Sequence, residues 1–168
     1  MPRSTATTAV ARSPTRSAPD ALDLLISDHR EVAGYFEAYQ NLESGQEKKA
    51  LADRICRALK VHAQIEEELL YPLARERTGD LALLDAALVE HTGAKTLIAQ
   101  IEATNPGQPL YDARVKVLGE QVSHHVQEEE AELFPQVRAA RIDLAALGAK
   151  LAARKAELMA RLAPAAAR

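Results

Sequence analysis

The chain has 168 residues, of which 47% are hydrophobic and 4% aromatic, and its formal net charge is −3. This length suits one domain with a sizeable core, and the many Ala, Leu, Glu, Arg and Lys residues predict an all-α protein. The charge gives no basic footprint for nucleic acid, the single cysteine excludes an internal disulfide and a thiolate-bound metal cluster, and no apolar run is long enough to span a membrane.

The first 19 residues are rich in Ser, Thr, Ala, Arg and Pro and carry no acidic side chain. They share features with an organelle transit peptide, but they lack an amphipathic face and are interpreted as a disordered tail. Ser17 can cap a first helix that runs to about Leu42. Ser44-Gly45-Gln46-Glu47 has the pattern of a capping box for a second helix, which passes through Pro72.

Thr78-Gly79-Asp80 marks the next break, with Thr78 as the expected cap of a third helix that ends at Asn105-Pro106-Gly107. Pro109 suits the first turn of the fourth helix, and Asp143 can cap a fifth, Ala-rich helix. Four long helices with short connections predict an up-down-up-down four-helix bundle. We assign residues 1–19 to the tail, 20–140 to the bundle and 141–168 to a C-terminal helix and tail.

The segment HAQIEEELLYP, residues 62–72, returns 63 residues later as HVQEEEAELFP, residues 125–135. In each copy a His is followed four residues on by a Glu, at His62 and Glu66 and again at His125 and Glu129. Positions i and i+4 of a helix lie one turn apart on the same face. Each pair can therefore bind one metal ion together.

His29 and His91 lie 62 residues apart, on the first and third predicted helices. At a rise of about 1.5 Å per residue, the four repeat-related histidines fall at one level of the bundle. Burying four imidazoles and two carboxylates without a cation would be costly. The candidate metal ligands are His29, His62, Glu66, His91, His125 and Glu129.

This nitrogen and oxygen donor set suits iron, manganese or zinc. Two carboxylates that can bridge two metals, with imidazoles outside them, describe a non-haem di-iron centre. No His has a Glu three residues before it, which argues against the ferritin-like design. The chain also lacks His-Glu-x-x-His, so a zinc-protease site is excluded.

The second copy contains a rival pair, His124 and Glu128, also four residues apart. Val61 and Ile65 occupy the equivalent places in the first copy, so we interpret His124 as a flanking residue. Helical geometry directs Glu67 and Glu68 away from His62, and both are expected to be solvated.

Pro72 and Pro135 each remove one helical hydrogen bond. Either they end or kink the helix, or the loosened backbone helps to position the carboxylate a turn earlier. Aromatic residues that could wall the metal pocket are Tyr35, Tyr71 and Phe134, although packing alone would also explain them. Cys56 lies off the face of His62 and is expected in the core.

The pattern His29, His62-x-x-x-Glu66, His91, His125-x-x-x-Glu129 resembles the hemerythrin-like, or HHE cation-binding, domain over roughly residues 20–140. The resemblance implies a four-helix bundle that holds two Fe ions in an oxo- or hydroxo-bridged centre. Glu66 and Glu129 would bridge the irons, and the four histidines would be terminal ligands.

Oxygen-carrying hemerythrins have a further His one turn after the third-helix ligand, and Lys95 occupies that place here. Losing this ligand leaves a more open iron. The resemblance is therefore to the bacterial four-histidine, two-glutamate branch, which is associated with sensing or handling oxygen, nitric oxide or peroxide, and with iron homeostasis.

Three hypotheses follow for the function. The first is a module that binds or senses O2, NO or peroxide at an open iron; the second is a di-iron enzyme that removes peroxide or NO; the third is a metal-holding or interaction protein. Leu144, Leu151 and Leu158 have near-heptad spacing, which fits either self-association or packing on the bundle. We expect a monomer or weak homodimer, without nucleic acid or membrane partners, in the cytoplasm, since a lone cysteine suits a reducing compartment.

Overall fold

The computed structural model describes residues 19–79 and 81–163. The predicted N-terminal tail, with the proposed cap Ser17, lies almost entirely outside these residues. Within the described ranges the chain forms helices and connecting loops without a β-strand, as the composition predicted. None of the helices there combines the length and the apolar composition that crossing a bilayer requires.

Seven α-helices make up the described chain. They are α1 (Ala21–Gln40), α2 (Gly45–Ile65), α3 (Tyr71–Thr78), α4 (Leu81–Glu102), α5 (Tyr111–Glu128), α6 (Phe134–Ala139) and α7 (Leu144–Arg161). Five-residue π-helical turns, Glu66–Leu70 and Glu129–Leu133, join α2 to α3 and α5 to α6. Each joined pair therefore acts as one long helix of the bundle.

The bundle arrangement agrees with the prediction of four long helices and an added C-terminal helix. α1 packs against α2 and α5, and α4 packs against α2 and α5. Short connections make consecutive helices antiparallel, so the four units surround one interior.

Two of the predicted helix caps are confirmed. Ser44 accepts a hydrogen bond from the Glu47 backbone N–H at 3.4 Å, and Asp143 accepts one from Ala146 at 2.9 Å. The first helix begins later than predicted. Asp20 is its cap, because its carboxylate accepts hydrogen bonds from the backbone N–H groups of Leu22 and Asp23.

Two other boundary predictions are wrong. Thr78 ends α3 instead of capping the next helix: its hydroxyl bonds back to the Ala74 carbonyl, and Gly79 follows with φ of +76°. Glycine adopts this left-handed conformation without steric cost, which terminates the helix. Pro109 precedes the fourth long helix, since Leu110 is left-handed and α5 starts at Tyr111.

The apolar core is divided into two clusters by the level of the four histidines. On α1, Leu25 belongs to one cluster and Val32 to the other, with His29 between them in sequence. On α2, Leu59 and Ile65 flank His62 in the same way. A polar layer therefore crosses the bundle with close-packed apolar side chains on both sides.

The C-terminal helix α7 lies along α1 and α2. Leu151 and Leu158 are buried in the same core cluster as the start of α1, and Leu144 packs against it. The apolar stripe of α7 thus packs on its own bundle. Helices α7 and α1 lie close together at Gly148, where an added Cβ would be 2.8 Å from the Ala21 backbone nitrogen.

Candidate metal centre

The structure brings all six predicted ligands together in the polar layer. α1, α2, α4 and α5 contribute one His each, and the two π-helical turns begin at Glu66 and Glu129. None of the six residues is more than 7% exposed. Acidic and imidazole side chains are thus concentrated where the apolar core would otherwise be continuous.

The histidines meet in two pairs. His29 Nε2 lies 3.1 Å from His62 Nε2, and His91 Nε2 lies 3.1 Å from His125 Nε2. Donor atoms of His29, His62, Glu66 and Glu129 all lie within 4.8 Å of one another, and so do those of Glu66, His91 and His125. Two adjacent sites therefore share the Glu66 carboxylate.

The two carboxylates lie between the His pairs. Glu66 Oε1 is 3.2 Å from His62 Nε2, and Glu66 Oε2 is 3.5 Å from His91 Nε2. Glu129 Oε2 is 3.5 Å from His29 Nε2 and 3.4 Å from His125 Nε2. Each carboxylate thus reaches one imidazole of each pair, which is the placement that bridging of two ions would require.

The backbone explains how both Glu side chains reach the interior. The Tyr71 N–H bonds to the Glu66 carbonyl, and the Phe134 N–H bonds to the Glu129 carbonyl, each spanning five residues instead of four. The wider turns begin at the Glu residues and end just before Pro72 and Pro135. The structure favours the interpretation that the loosened helix positions the carboxylates, and π-turns commonly occur at functional sites.

Each histidine also faces a second carboxylate through its other ring nitrogen. The Nδ1 atoms of three histidines lie 2.8–2.9 Å from Glu130, Glu67 and Glu90, which partner His29, His91 and His125 respectively. The fourth, His62 Nδ1, lies 3.5 Å from Asp28 Oδ2. Such outer carboxylates fix the tautomer and the orientation of a metal-binding imidazole.

The sequence interpretation missed these outer residues, and the prediction that Glu67 is solvated is wrong. Its carboxylate accepts a hydrogen bond from the His91 ring and also binds Lys95. Only Glu68 matches that prediction: it is exposed and pairs with Arg154. The internal repeat carried the missing signal, because Asp28 and Glu90 each precede a ligand His, and Glu67 and Glu130 each follow a ligand Glu.

The orientation of the imidazole rings favours a cation as the occupant of the centre. When Nδ1 donates its proton to an outer carboxylate, Nε2 keeps a lone pair that points into the centre. The two Nε2 atoms of each pair face each other at 3.1 Å. Both oxygens of Glu66 and one of Glu129 are buried without a hydrogen-bond partner among the described residues. Buried lone pairs and carboxylates of this kind are stabilised by a bound metal ion.

Without a metal ion, protons bound to the imidazoles offset the negative charge of the buried carboxylates. Burial lowers the pKa of His62, but the charge of Glu66 and contacts with Asp28 and Glu66 outweigh it and raise the pKa to about 10. Burial raises the pKa of Glu66, but His62, His91 and His125 together hold that pKa well below its usual range. A metal ion would replace protons here, so binding should release them.

The two copies of the repeat differ at one aromatic position, which is Tyr71 in the first copy and Phe134 in the second. The Tyr71 hydroxyl donates to Glu129 Oε1 at 2.8 Å, and the Tyr71 ring stacks on His91. Burial, with the nearby Glu66 and Glu129 carboxylates, raises the pKa of Tyr71 far above its usual value, so the phenol keeps its proton. Phe134 stacks on His29 at the repeat-related place and has no hydroxyl to donate.

Three remaining predictions concern residues near the centre. Tyr35 does not wall the pocket, because its hydroxyl donates to Glu31 and its ring lies beside Arg54. Cys56 is buried in the core as expected, and burial together with Glu102 and Asp53 raises the pKa of its thiol to about 12. His124 is exposed, whereas its neighbour His125 is buried, in agreement with the chosen register.

A small cavity of about 40 Å³ reaches the histidines from the side opposite the prolines. Apolar side chains that line it include Val32, Leu59, Ile98 and Val122. A cavity needs roughly 10–15 Å³ to hold one water, so this space suits a molecule of two to four atoms. Lys95 also lines the cavity, but its amine binds Glu67 at 2.6 Å instead of taking the place of a further ligand.

Comparison with known proteins agrees with this geometry. Residues 20–137 match the model of the hemerythrin HHE cation-binding domain. The crystal structure of a hemerythrin HHE cation-binding domain-containing protein from Mycobacterium kansasii superposes with a TM-score of 0.75 and 24% identity, covering 86% of this chain and 90% of that one. A DNA nickase from Nostoc sp. (strain PCC 7120) is 34% identical over 119 residues, which cover 69% of this chain and 33% of that protein.

Proposed function

Because the chain belongs to the hemerythrin HHE cation-binding domain family, we propose that it is a non-haem di-iron protein that binds or senses O2, NO or peroxide. His29 and His62 would hold one iron, His91 and His125 the other, and Glu66 and Glu129 would lie between them. Bound iron would supply an open coordination position for such small ligands and, in the ferrous state, electrons for the reduction of O2.

The observation that carries this proposal is the convergence of four imidazoles on two buried carboxylates, three of whose oxygens have no hydrogen-bond partner among the described residues. Both oxygens of Glu66 approach a His Nε2 within 3.5 Å, one in each pair. A single ion would leave one of the two His pairs uncompensated, so the geometry supports two. Nitrogen and oxygen donors without a thiolate suit iron, and manganese and zinc are the competing ions that metal analysis separates.

The size of the cavity favours a small ligand and argues against an organic substrate. Apolar side chains make up much of its lining, and its volume of about 40 Å³ suits a small molecule better than a larger organic one. Lys95 replaces the extra histidine of the oxygen carriers and is bound to Glu67, so one coordination position facing the cavity would stay open for an external ligand.

The test begins with metal analysis of the purified protein and optical spectra recorded before and after exposure of the ferrous form to air. We expect about two irons per chain and a new absorption band in air, and Glu66→Ala should lower the iron content and weaken the band. A single zinc ion, or a featureless spectrum with no metal, would contradict the proposal.

A second experiment separates binding from catalysis. The ferrous protein is mixed with NO or with peroxide in a stopped-flow instrument, and both the spectrum and the remaining reactant are followed. A stoichiometric spectral change without consumption beyond two equivalents supports binding or sensing. Sustained turnover would instead favour the alternative, a di-iron enzyme that removes peroxide or NO.

The likeness to a DNA nickase is limited to one third of that protein, since the chain covers 33% of its length. We propose that the shared part is the metal-binding bundle and not the capacity to cut DNA. The net charge of −3 offers no excess of cations for neutralising phosphates. Incubation with supercoiled plasmid should leave it intact; nicking by the wild-type chain that Glu66→Ala abolishes would refute this.

We also propose that the protein is a monomer or weak homodimer and that it lies in the cytoplasm. A monomer fits the way in which α7 buries its apolar stripe against α1 and α2. Cytoplasmic location rests on the single cysteine, which suits a reducing compartment.

A further inference from the structure

A second group of metal-binding side chains lies on the surface beside the buried centre. His124 and Glu128 on α5 and Glu90 on α4 place one donor atom each within 4.8 Å of one another. His124 Nε2 is 3.3 Å from Glu128 Oε1 and 3.8 Å from Glu90 Oε1. With metal–ligand bonds of about 2.1 Å, two ligands of one ion lie up to about 4.2 Å apart, so small rotations bring all three donors to one ion.

These side chains are accessible, unlike the six of the buried centre. The His124 side chain is 65% exposed, Glu128 36% and Glu90 26%. An imidazole and two carboxylates from two helices form a donor set for a divalent transition metal, with water able to complete its coordination.

Glu90 connects this surface group to the buried centre. One of its oxygens faces His124, and the other accepts a hydrogen bond from His125 Nδ1 at 2.8 Å. An ion held at the surface therefore lies one carboxylate and one imidazole away from the proposed iron position at His91 and His125.

The internal repeat shows that this arrangement belongs to one half of the molecule. Val61 and Ile65 stand where the second half has His124 and Glu128, and both are buried. The helix α7 packs on that first face, along α1 and α2, whereas no described helix covers His124 on the equivalent face of α4 and α5, where its side chain is 65% exposed. The outer carboxylate Asp28 is correspondingly paired with Lys155 of α7, and Glu90 with His124.

We propose that His124, Glu128 and Glu90 form a surface site for a ferrous ion that precedes loading of the buried centre. The carboxylates raise the local cation concentration, and the site then holds the ion beside His125. This role rests on the proposed function, because it requires a buried centre that takes up iron. The resting metal content need not depend on His124, but the rate of loading should.

The first experiment asks whether the surface site exists. Protein whose buried centre is already filled and oxidised is titrated with Co²⁺ under anaerobic conditions, and binding is followed by calorimetry and visible absorption. We expect one further ion per chain in the wild type and none in His124→Ala or Glu128→Gln. Glu120→Gln is the matched control, because it removes an exposed carboxylate of α5 that pairs with Lys116, outside the site.

The second experiment asks whether the site speeds loading. Metal-free protein receives limiting Fe²⁺ without oxygen, and the iron that resists a ferrous chelator is measured over time. We expect His124→Ala and Glu128→Gln to load roughly tenfold more slowly than the wild type but to reach the same final content, with Glu120→Gln unchanged.

The outcomes separate this inference from the function on which it rests. Unchanged loading in His124→Ala and Glu128→Gln, or equal slowing in Glu120→Gln, would overturn the loading role. A wild-type chain that never takes up two buried irons would overturn the di-iron proposal and the loading role with it.

Discussion

The hydroxyl of Tyr71 makes a contact whose value can be measured by removing one atom. It donates to Glu129 Oε1 at 2.8 Å, and Tyr71 and Glu129 are both buried. Tyr71→Phe keeps the ring on His91 and deletes this hydrogen bond, together with the longer contact of 3.3 Å between the hydroxyl and His91 Nε2. A hydrogen bond to a charged group contributes about 1.5–3 kcal/mol, and its loss leaves a buried carboxylate oxygen without a donor.

We therefore expect Tyr71→Phe to lower the free energy of unfolding of the metal-free protein by about 2 kcal/mol. For a chain of 168 residues this corresponds to a fall of roughly 4–8 °C in Tm. The metal-loaded protein should lose less, because a bound cation then compensates Glu129. Urea unfolding followed by circular dichroism, with and without a chelator, measures both values.

Tyr111→Phe is the matched control for this experiment. Tyr111 is also a buried tyrosine, but its hydroxyl has no hydrogen-bond partner among the described residues. Removing that hydroxyl should leave stability unchanged or raise it, since an unsatisfied buried polar group is costly. A loss below about 0.5 kcal/mol in Tyr71→Phe, or equal losses in both variants, would refute the assigned role of the Tyr71–Glu129 contact.

Three other predictions concern the same centre. Glu66→Ala should lower metal content and stability together, because both His pairs approach Glu66. Glu128→Ala should retain two ions by elemental analysis. The opposite result would show that the register chosen for the second copy of the repeat is wrong. The pKa of His62 is raised to about 10 in the folded, metal-free protein. Protonated His62 therefore stabilises this form fully below the unfolded pKa of about 6.5, and the stabilisation is lost as pH rises through 10. Since metal must displace this proton, metal affinity in competition titrations should increase with pH up to that value, and a flat profile would argue against it. Lys155→Met removes the cation paired with Asp28 beside His62 and should speed metal loss to a chelator roughly tenfold at unchanged helix content; an unchanged rate would show that α7 does not support the centre.

The missed outer carboxylates show where sequence reasoning reached its limit. Glu67 does point away from His62 on its own helix, as the angle of 100° per residue predicts. It faces His91 instead, on the neighbouring helix α4, and Glu130 likewise reaches His29 on α1. Helical periodicity describes one helix at a time, so it cannot say which helix lies opposite a given side chain.

The predictions of two helix boundaries were wrong for a more local reason. Thr78 is a plausible helix cap and Pro109 a plausible first-turn residue, but Gly79 and Leu110 adopt left-handed conformations that place the boundaries elsewhere. Turn geometry of this kind depends on how the flanking helices pack. The widened turns at Glu66 and Glu129 are similar: proline signals a disturbed helix, but only the packed structure shows that the disturbance lies at the ligand.

The sequence by itself determined the six candidate ligands, because the spacing of His62 to Glu66 and of His125 to Glu129 places each pair on one helical face whatever the surroundings. Near-equal helix lengths on either side of short loops then brought the histidines to one level. Only the tertiary structure decided what surrounds them. The apolar stripe of α7 fitted self-association as well as packing. Its burial against α1 closes one face of the pseudo-symmetric bundle, while in the described part of the chain His124 stays exposed on the other. Burial against a specific neighbour depends on the whole packed chain, and no local pattern specifies it.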